Sequence, residues 1–141
     1  MKVELPEEYR PSKDEPYMNP KQLEYFRQRL LLWRKQLVQE SAEILDQLKD
    51  ENLRQADFVV QWTLEDTETL KLRNRDRYRK LIYKIDGALE RIKGDTYGYC
   101  EETGAEIGIK RLEARPRATL CIEAQKRHEQ IERWARARHP K

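Results

Sequence analysis

Residues 20–50 read PKQLEYFRQRLLLWRKQLVQESAEILDQLKD. Apolar residues recur in this stretch at alternating steps of three and four, which is the spacing of one face of an α-helix. The series is Leu23, Phe26, Leu30, Trp33, Leu37 and, after a step of seven, Ile44. As a helix the stretch would be about 45 Å long, more than a small bundle needs. The pattern therefore predicts a projecting helical arm.

The ends of this arm are predicted from capping signals and from a second periodic stretch. Asn19-Pro20 is typical of a helix start, because Asn caps the first turn and Pro lacks only a donor that is unpaired there anyway. A second helical pattern runs from about Thr63 to Ile92. Because residues 51–62 are a short connection, we expect an antiparallel hairpin whose tip is that segment.

The rest of the chain is divided by its composition. Residues 1–16 contain three prolines and no periodicity, and we interpret them as a loose tail or an arm lying on the body. We assign the hairpin to residues 17–92. Residues 93–141 form a small Gly-containing globular domain, completed by a C-terminal helix whose apolar side (Leu120, Ile131, Trp134) we expect to pack against that domain. The predicted fold class is all-α.

Composition restricts the function. The chain has 141 residues, 39% of them charged, and 29 basic against 26 acidic residues give a net charge of +3. The two signs are interleaved, which differs from the segregated basic excess of proteins that bind DNA through its phosphates. No apolar run reaches the length of a membrane span, and the N-terminus lacks the apolar core of a signal peptide. We therefore expect a cytoplasmic protein that binds no membrane and has reduced cysteines.

The segment with the most distinctive chemistry has the spacing of a four-cysteine zinc finger. Cys100 and Thr103 form one C-x-x-C-like pair, Cys121 and Ala124 form the other, and 17 residues separate the pairs. Thr is a poor zinc ligand, Ala is none, and two thiolates rarely hold structural zinc alone. We predict a degenerate, zinc-finger-like domain without zinc, in which the cysteines are half-buried hydrophobic residues. A regulatory disulfide between them is the alternative.

Several motifs together resemble one known family. They are Tyr97-Gly98-Tyr99-Cys100, the run from Glu106 to Pro116, Leu120-Cys121-Ile122, Tyr17-Met18-Asn19, and the run from Leu72 to Arg77 with Arg79-Lys80-Leu81-Ile82. In this order, over about residues 17–130, they resemble the DksA/TraR family and, given the missing ligands, its zinc-deficient members. The resemblance implies RNA polymerase as the partner, a hairpin inserted through the polymerase secondary channel, and modulation of transcription initiation without sequence-specific DNA binding.

The predicted tip departs from the family pattern D-x-x-D-x-A. The matching positions are Asp57, Val60 and Trp62, so the first Asp is kept while Val and Trp replace the other two. A tip that acts by charge near a magnesium ion would lose part of that effect, and Trp could obstruct a narrow channel. The apolar run 58–62 either closes the turn by packing on itself or contacts a partner.

The resemblance also implies an effector, guanosine tetraphosphate, bound at the joint between factor and polymerase. A further basic family position is Gln125 here, with Lys126 beside it. Basic side chains bind phosphates through charge-assisted hydrogen bonds, whereas periodicity alone would interpret 73–80 as a solvated helix face. The implied effector residues are Asn74, Arg77, Leu81, Lys84, Arg115 and Lys126.

Two alternatives remain from the sequence. A paralogue with this tip could occupy the channel with weakened regulatory activity, and a basic helical protein could bind nucleic acid through its C-terminal helix and the 73–80 stretch. The sequence contains no nucleophile–base pair and no Gly-rich phosphate loop, so we expect no enzyme activity. We further expect a monomer without a tightly bound cofactor.

Overall fold

The computed structural model describes the backbone of residues 4–54 and 61–138 and, within these ranges, all side chains except those of 51–54 and 61–68. It contains four α-helices in the described residues: α1 (Pro20–Arg54), α2 (Gln61–Lys93), α3 (Ile109–Ala114) and α4 (Ile122–Arg138). The part of the chain described here has no strand, apart from an isolated antiparallel bridge between Tyr99 and Glu106. The predicted all-α class is confirmed.

Helix α1 begins where the capping signal predicts. The Gln22 amide donates to Asn19 Oδ1 at 3.0 Å, so Asn19 satisfies one of the unpaired donors of the first turn. Both long helices extend further than the periodic stretches indicate, because α1 continues to Arg54 and α2 already begins at Gln61. Helix-favouring residues extend both helices beyond the last periodic apolar position, where a hydrophobic pattern gives no signal.

The chain divides into two compact units. The hairpin unit is Leu30–Gly87, and the finger unit combines Met1–Arg29 with Ala88–Lys141. These boundaries differ from the predicted segments at 16/17 and 92/93, since each long helix contributes residues to both units.

In the hairpin unit, the two helices run antiparallel. Their interior is a narrow seam that includes Leu30, Leu37 and Leu48 of α1 and Ile85 of α2, all less than a tenth exposed. At its edge Arg34 Nε lies 2.7 Å from Asp86 Oδ1, which pairs an early residue of α1 with a late residue of α2. The predicted hairpin is therefore present, with apolar packing along one face of each helix.

In the finger unit, the interior is built from aromatic and small residues. The Phe26 and Tyr97 rings are both fully buried, with centroids 5.7 Å apart. Helix α3 lies in the segment predicted only as a Gly-containing module, and its Leu112 is fully buried. Tyr97 Oη donates to the Pro116 carbonyl at 2.6 Å, which fixes the segment that follows α3.

Residues 4–16 lie on the body of the finger unit as an arm. The Tyr9 ring meets the Tyr25 ring edge to face at 6.1 Å. Gln22, fully buried, receives the Met18 amide on Oε1 at 2.8 Å and donates from Nε2 to the Ser12 carbonyl at 3.2 Å. Burial of a side-chain amide is tolerated because these bonds satisfy it. Of the two interpretations of this segment, the packed arm is the one observed.

The C-terminal helix α4 does not pack as predicted. Ile131 and Trp134 are 65% and 66% exposed, and Ala124 is the buried residue of the helix. The expectation that its apolar side covers the finger was wrong for Ile131 and Trp134, whereas Leu120, just before the helix, packs against the buried cluster around Cys121. Amphipathic spacing identifies the apolar face of a helix but not the element that packs on it. Within the described residues, that face of α4 is exposed to solvent.

Candidate functional site

Four of the six predicted effector residues share one face of α2. Asn74, Arg77, Leu81 and Lys84 follow each other at steps of three, four and three, which places them along one side of a helix. Leu81 is partly buried and the other three are exposed. Neither Arg77 nor Lys84 forms an ion pair within the described ranges, so both cations are available to an anionic ligand.

The remaining two predicted effector residues belong to the finger unit. Arg115 follows α3, where its amide donates to the Arg111 carbonyl at 2.8 Å, and its side chain is exposed. Lys126 is exposed on α4. Each unit thus presents a separate part of the predicted set, both in solvent.

The predicted tip residues fall mostly beyond what the structure describes. Asp57 and Val60 lie outside the described residues. Trp62 lies at the start of α2, where only the backbone is described. The tip assignment therefore stays a prediction.

The finger residues Cys100, Cys121 and Ala124 come together in one buried cluster, against which Leu120 packs. Cys100 is 3% exposed and Cys121 is 9% exposed, so the cysteines are more buried than the predicted half-buried state. Thr103 Oγ1 lies 3.8 Å from Cys121 Sγ. The four positions at zinc-finger spacing are thus brought together around the two sulfur atoms, and both thiols are free.

The sulfur of Cys100 lies in an environment that favours its thiolate. Burial, the largest single influence, raises the pKa of Cys100, but hydrogen bonds to the sulfur together outweigh it and bring the pKa from 9.0 down to about 6. The donors are the Thr103 hydroxyl and the backbone amides of Cys121, Thr103 and Glu102. Such amide-to-sulfur bonds stabilise negative charge on sulfur without a metal.

This cluster does not fit a structural zinc ion. Four ligands about 2.3 Å from zinc would lie about 3.8 Å from each other at the corners of a tetrahedron, and the Thr103–Cys121 distance matches that edge. The donor chemistry does not match, because Thr103 and Ala124 supply no thiolate or imidazole. Among the described residues there is no group of three or more His, Cys, Asp or Glu side chains able to hold a metal.

Tyr17 belongs to one of the motifs that resemble the family, but its role as a positioning residue was not predicted from the sequence. Its hydroxyl donates to the Gly98 carbonyl at 2.7 Å and accepts the Gly108 amide at 2.9 Å, which connects two finger loops. Gly98 has a φ of 92°, and a Cβ there would lie 2.8 Å from Met18 Cγ. Glycine at 98 is therefore required both by the backbone and by the close approach of Met18.

Two further contacts hold the finger around the cysteines. Arg111 Nε donates to the Leu120 carbonyl at 3.0 Å, which fixes the segment that precedes Cys121. His128 of α4 contacts the Glu102 carboxylate of the Cys100 turn. The sequence carries little indication of these two contacts, because the paired residues are nine and 26 positions apart.

Comparison with known proteins defines the class of this fold. Residues 22–92 match the family described as DnaK suppressor protein DksA, N-terminal domain, and residues 95–130 match the prokaryotic dksA/traR C4-type zinc finger. The chain belongs to the DksA/TraR family.

Individual relatives cover most of the chain. It is 54% identical over 126 residues to the RNA polymerase-binding transcription factor DksA of Caulobacter vibrioides, which covers 89% of each protein. It is 46% identical over 117 residues to the protein of the same name from Escherichia coli K12, covering 83% of this chain and 78% of that one. The structure of transcription factor DksA2 from Pseudomonas aeruginosa superposes with a TM-score of 0.78 at 42% identity, over 83% of this chain and 90% of that one.

In the described part of the molecule, none of the helices has the length and apolar character of a membrane span.

Proposed function

We propose that this protein is a transcription factor that binds RNA polymerase. The observation that carries the proposal is its 54% identity, across 89% of its length, to a Caulobacter protein named for that activity. The antiparallel hairpin of α1 and α2 supports it, because the same fold occurs in the Pseudomonas transcription factor. The interleaved surface charge and the net charge of +3 favour a protein partner over sequence-specific DNA binding.

In the proposed mechanism, the hairpin enters the secondary channel of the polymerase and modulates transcription initiation. Guanosine tetraphosphate binds where the factor meets the polymerase, with Arg77 and Lys84 of α2 as phosphate contacts. Both cations are exposed and unpaired with other described residues, which leaves their charge available to phosphate. Arg115 and Lys126 supply further cations from the finger unit. The factor acts as a cytoplasmic monomer without enzyme activity.

In this proposal the finger unit is stabilised by packing and hydrogen bonding, without zinc. Two thiols, one hydroxyl and one methyl group occupy the four positions of the motif, and the hydrogen bonds at Cys100 stabilise the turn that a metal would otherwise hold. The two cysteines remain reduced in this state.

The decisive experiment has two separate measurements. The first is the affinity of the protein for core RNA polymerase, and absence of binding would remove the whole proposal. The second is transcription from a ribosomal promoter with and without guanosine tetraphosphate. Arg77→Ala and Lys84→Ala are each expected to weaken the response to the nucleotide about 10- to 150-fold, since a charge-assisted hydrogen bond contributes about 1.5–3 kcal/mol.

Lys35→Ala is the matched control for these variants. Lys35 is an exposed cation of α1 in the same hairpin unit, and it lies outside the proposed effector set. If Lys35→Ala weakens the nucleotide response as much as Arg77→Ala, the response depends on general charge and the assigned face is wrong. If the protein binds polymerase but the nucleotide has no effect on transcription, the proposed effector site is wrong and the proposed polymerase binding stands.

A second candidate is a factor that occupies the channel with weak regulatory output. The replacement of Asp by Val60 and of Ala by Trp62 in the family's tip pattern favours it. Under this candidate, the double variant Val60→Asp, Trp62→Ala would bind polymerase as the unmodified protein does and change promoter output much more strongly. Equal output from the two proteins would contradict it.

A further inference from the structure

The seam of the hairpin unit changes its chemistry along α2. From the fully buried Ile85, steps of three or four residues toward the start of the helix lead to Ile82, Tyr78, Arg75 and Lys71, which therefore share one face. These four are partly buried, whereas the residues between Lys71 and Tyr78 that lie off this face are exposed. Two cationic side chains of α2 thus lie in the far part of the seam, where isoleucines lie nearer its base.

Arg75 is the residue that this seam accommodates least well. Its Nε atom is shielded from solvent and has no hydrogen-bond partner within the described residues. The contact between Arg34 and Asp86 sets the register of the two helices. Eleven residues further toward the tip on each helix, Arg75 comes level with Leu45, whose side chain offers no acceptor. A buried donor that has lost its water and gained no partner destabilises the folded state, so Arg75 weakens the packing around it.

The apolar residues of α2 in the same region do not compensate for Arg75. Leu70 and Leu72 are 59% and 50% exposed, so neither contributes much to the seam. On α1, Leu48 is 8% exposed, which means that α1 keeps its apolar face further toward the tip than α2 does. Less apolar surface is therefore buried here than around Ile85, and the hydrophobic contribution to stability is smaller.

We propose that Arg75 divides the hairpin into two parts of different stability, so that a distal segment opens while a proximal segment stays folded. The distal segment is residues 41–48 of α1 with 71–78 of α2, and the proximal segment is residues 30–37 of α1 with 82–87 of α2. Regions with few buried apolar contacts are the first to open locally. Opening also returns Arg75 to water, which removes the cost of its unpaired donor.

The consequence is a hairpin with an adjustable end on a stable base. Two helices packed equally well along their whole length would separate only in one cooperative step. With the weak packing at Arg75, the distal parts of α1 and α2 separate and rejoin while Ile85 stays buried. The end of the hairpin can then adapt to the shape of a binding partner, because a region of low local stability is the one that moves. This property does not depend on which partner is bound.

Native-state hydrogen exchange of the full-length protein, followed by NMR at single amides, tests the proposal. Because a helical amide exchanges only when its hydrogen bond opens, its rate reports how often its segment opens. Amides of the distal segment are expected to exchange faster than amides of the proximal segment. Arg75→Met replaces the unpaired donor with an unbranched apolar side chain, and it should slow exchange in the distal segment roughly 5- to 150-fold. Exchange in the proximal segment should stay as it is in the unmodified protein.

Arg73→Met is the matched control. Arg73 lies two residues before Arg75 on the same helix and is exposed, so the same chemical change is made outside the seam. This variant is expected to leave exchange in both segments within about twofold of the unmodified protein, as is usual for a substitution on the surface.

Two results would overturn the proposal. One is an equal opening free energy in the distal and proximal segments, or a slowing of both by the same factor in Arg75→Met, since either would show that the hairpin opens as one unit. The other is exchange in the distal segment that Arg75→Met leaves unchanged or makes faster. Such a result would show that the guanidinium group does not weaken the seam.

Discussion

The finger unit and the hairpin unit are stabilised by different kinds of contact. In the finger unit, Tyr17 and Tyr97 lie outside the helices and hydrogen-bond groups distant in sequence, which connects segments that no helix joins. In the hairpin unit, a periodic seam that includes Leu30 and Leu37 does most of the packing, and the Arg34–Asp86 pair lies at its edge. The finger therefore depends on individual hydrogen bonds, whereas the hairpin depends on summed apolar burial.

The strongest test of the finger side restores the two missing ligands. The double variant Thr103→Cys, Ala124→Cys is expected to bind one zinc ion, because the Thr103–Cys121 distance of 3.8 Å already matches the edge of a zinc tetrahedron. At a free zinc concentration about 1,000 times the dissociation constant, the free energy of unfolding should rise by about 4 kcal/mol. Zinc stoichiometry and thermal unfolding with and without a chelator measure the effect.

The single variant Thr103→Cys is its control. With three thiols and no fourth ligand, it should bind zinc much more weakly and show little chelator sensitivity. If the double variant binds no zinc, the backbone around the cysteines no longer places four side chains in a tetrahedron. Packing alone then holds the cluster together.

The next largest effect is expected from the buried ring shared by α1 and the finger. Phe26→Ala should lower the free energy of unfolding by about 3–5 kcal/mol, because it removes a fully buried ring and leaves a cavity beside Tyr97. Leu37→Ala, in the hairpin seam, should cost less, near 2–3 kcal/mol, since a narrow seam collapses more readily around a cavity. Urea denaturation followed by circular dichroism compares the two variants, and a larger loss at Leu37 would reverse the comparison.

A smaller effect is expected where the finger relies on a hydroxyl. Tyr17→Phe should lower the free energy of unfolding by about 1–3 kcal/mol, because the Gly98 carbonyl and the Gly108 amide both lose their partner. Tyr99→Phe is the matched control, since the Tyr99 hydroxyl makes no hydrogen bond within the described ranges. Equal denaturation midpoints for the two variants would show that the loops do not need the Tyr17 bridge.

The same contrast explains which parts of the fold the sequence predicts. Residues such as Phe26, Leu30 and Leu37 follow a local period, and the start of α1 has a capping signal, so the hairpin is readable from neighbouring residues. The Tyr17 hydrogen bonds join residues 81 and 91 positions apart, and no local pattern encodes them. Buried Gln22 gives no hydropathy signal, because its burial depends on partners that only the folded chain supplies.

The candidate site shows a similar division. The steps of three and four that join Asn74 to Lys84 are local, so a helix places them on one face once the helix is predicted. The missing zinc ligands at Thr103 and Ala124 are also readable from spacing. What the sequence could not supply is the exposure of Trp134, because amphipathic spacing does not reveal whether another element covers a face.

A pH effect should be confined to the finger side. The pKa of Cys100 is lowered to about 6 in the folded protein, so its thiolate stabilises the fold at pH values above the unfolded pKa of 9.0, and that contribution is lost as the pH falls through about 6. Ultraviolet thiolate absorbance in a Cys121→Ser background should titrate with a midpoint near pH 6. Thr103→Val removes the hydroxyl donor and should raise that midpoint, whereas Thr119→Val should not.

The smallest effect is expected at the ion pair of the hairpin. Arg34 and Asp86 have side chains 40% and 47% exposed, so water screens their attraction and ordering the side chains opposes it. A double-mutant cycle with Arg34→Met and Asp86→Asn should give a coupling free energy of about 0.2–1 kcal/mol that falls further in high salt. If the coupling free energy is as large as the loss of unfolding free energy in Tyr17→Phe, the hairpin also depends on a single polar contact. The distinction between the two units would then no longer hold.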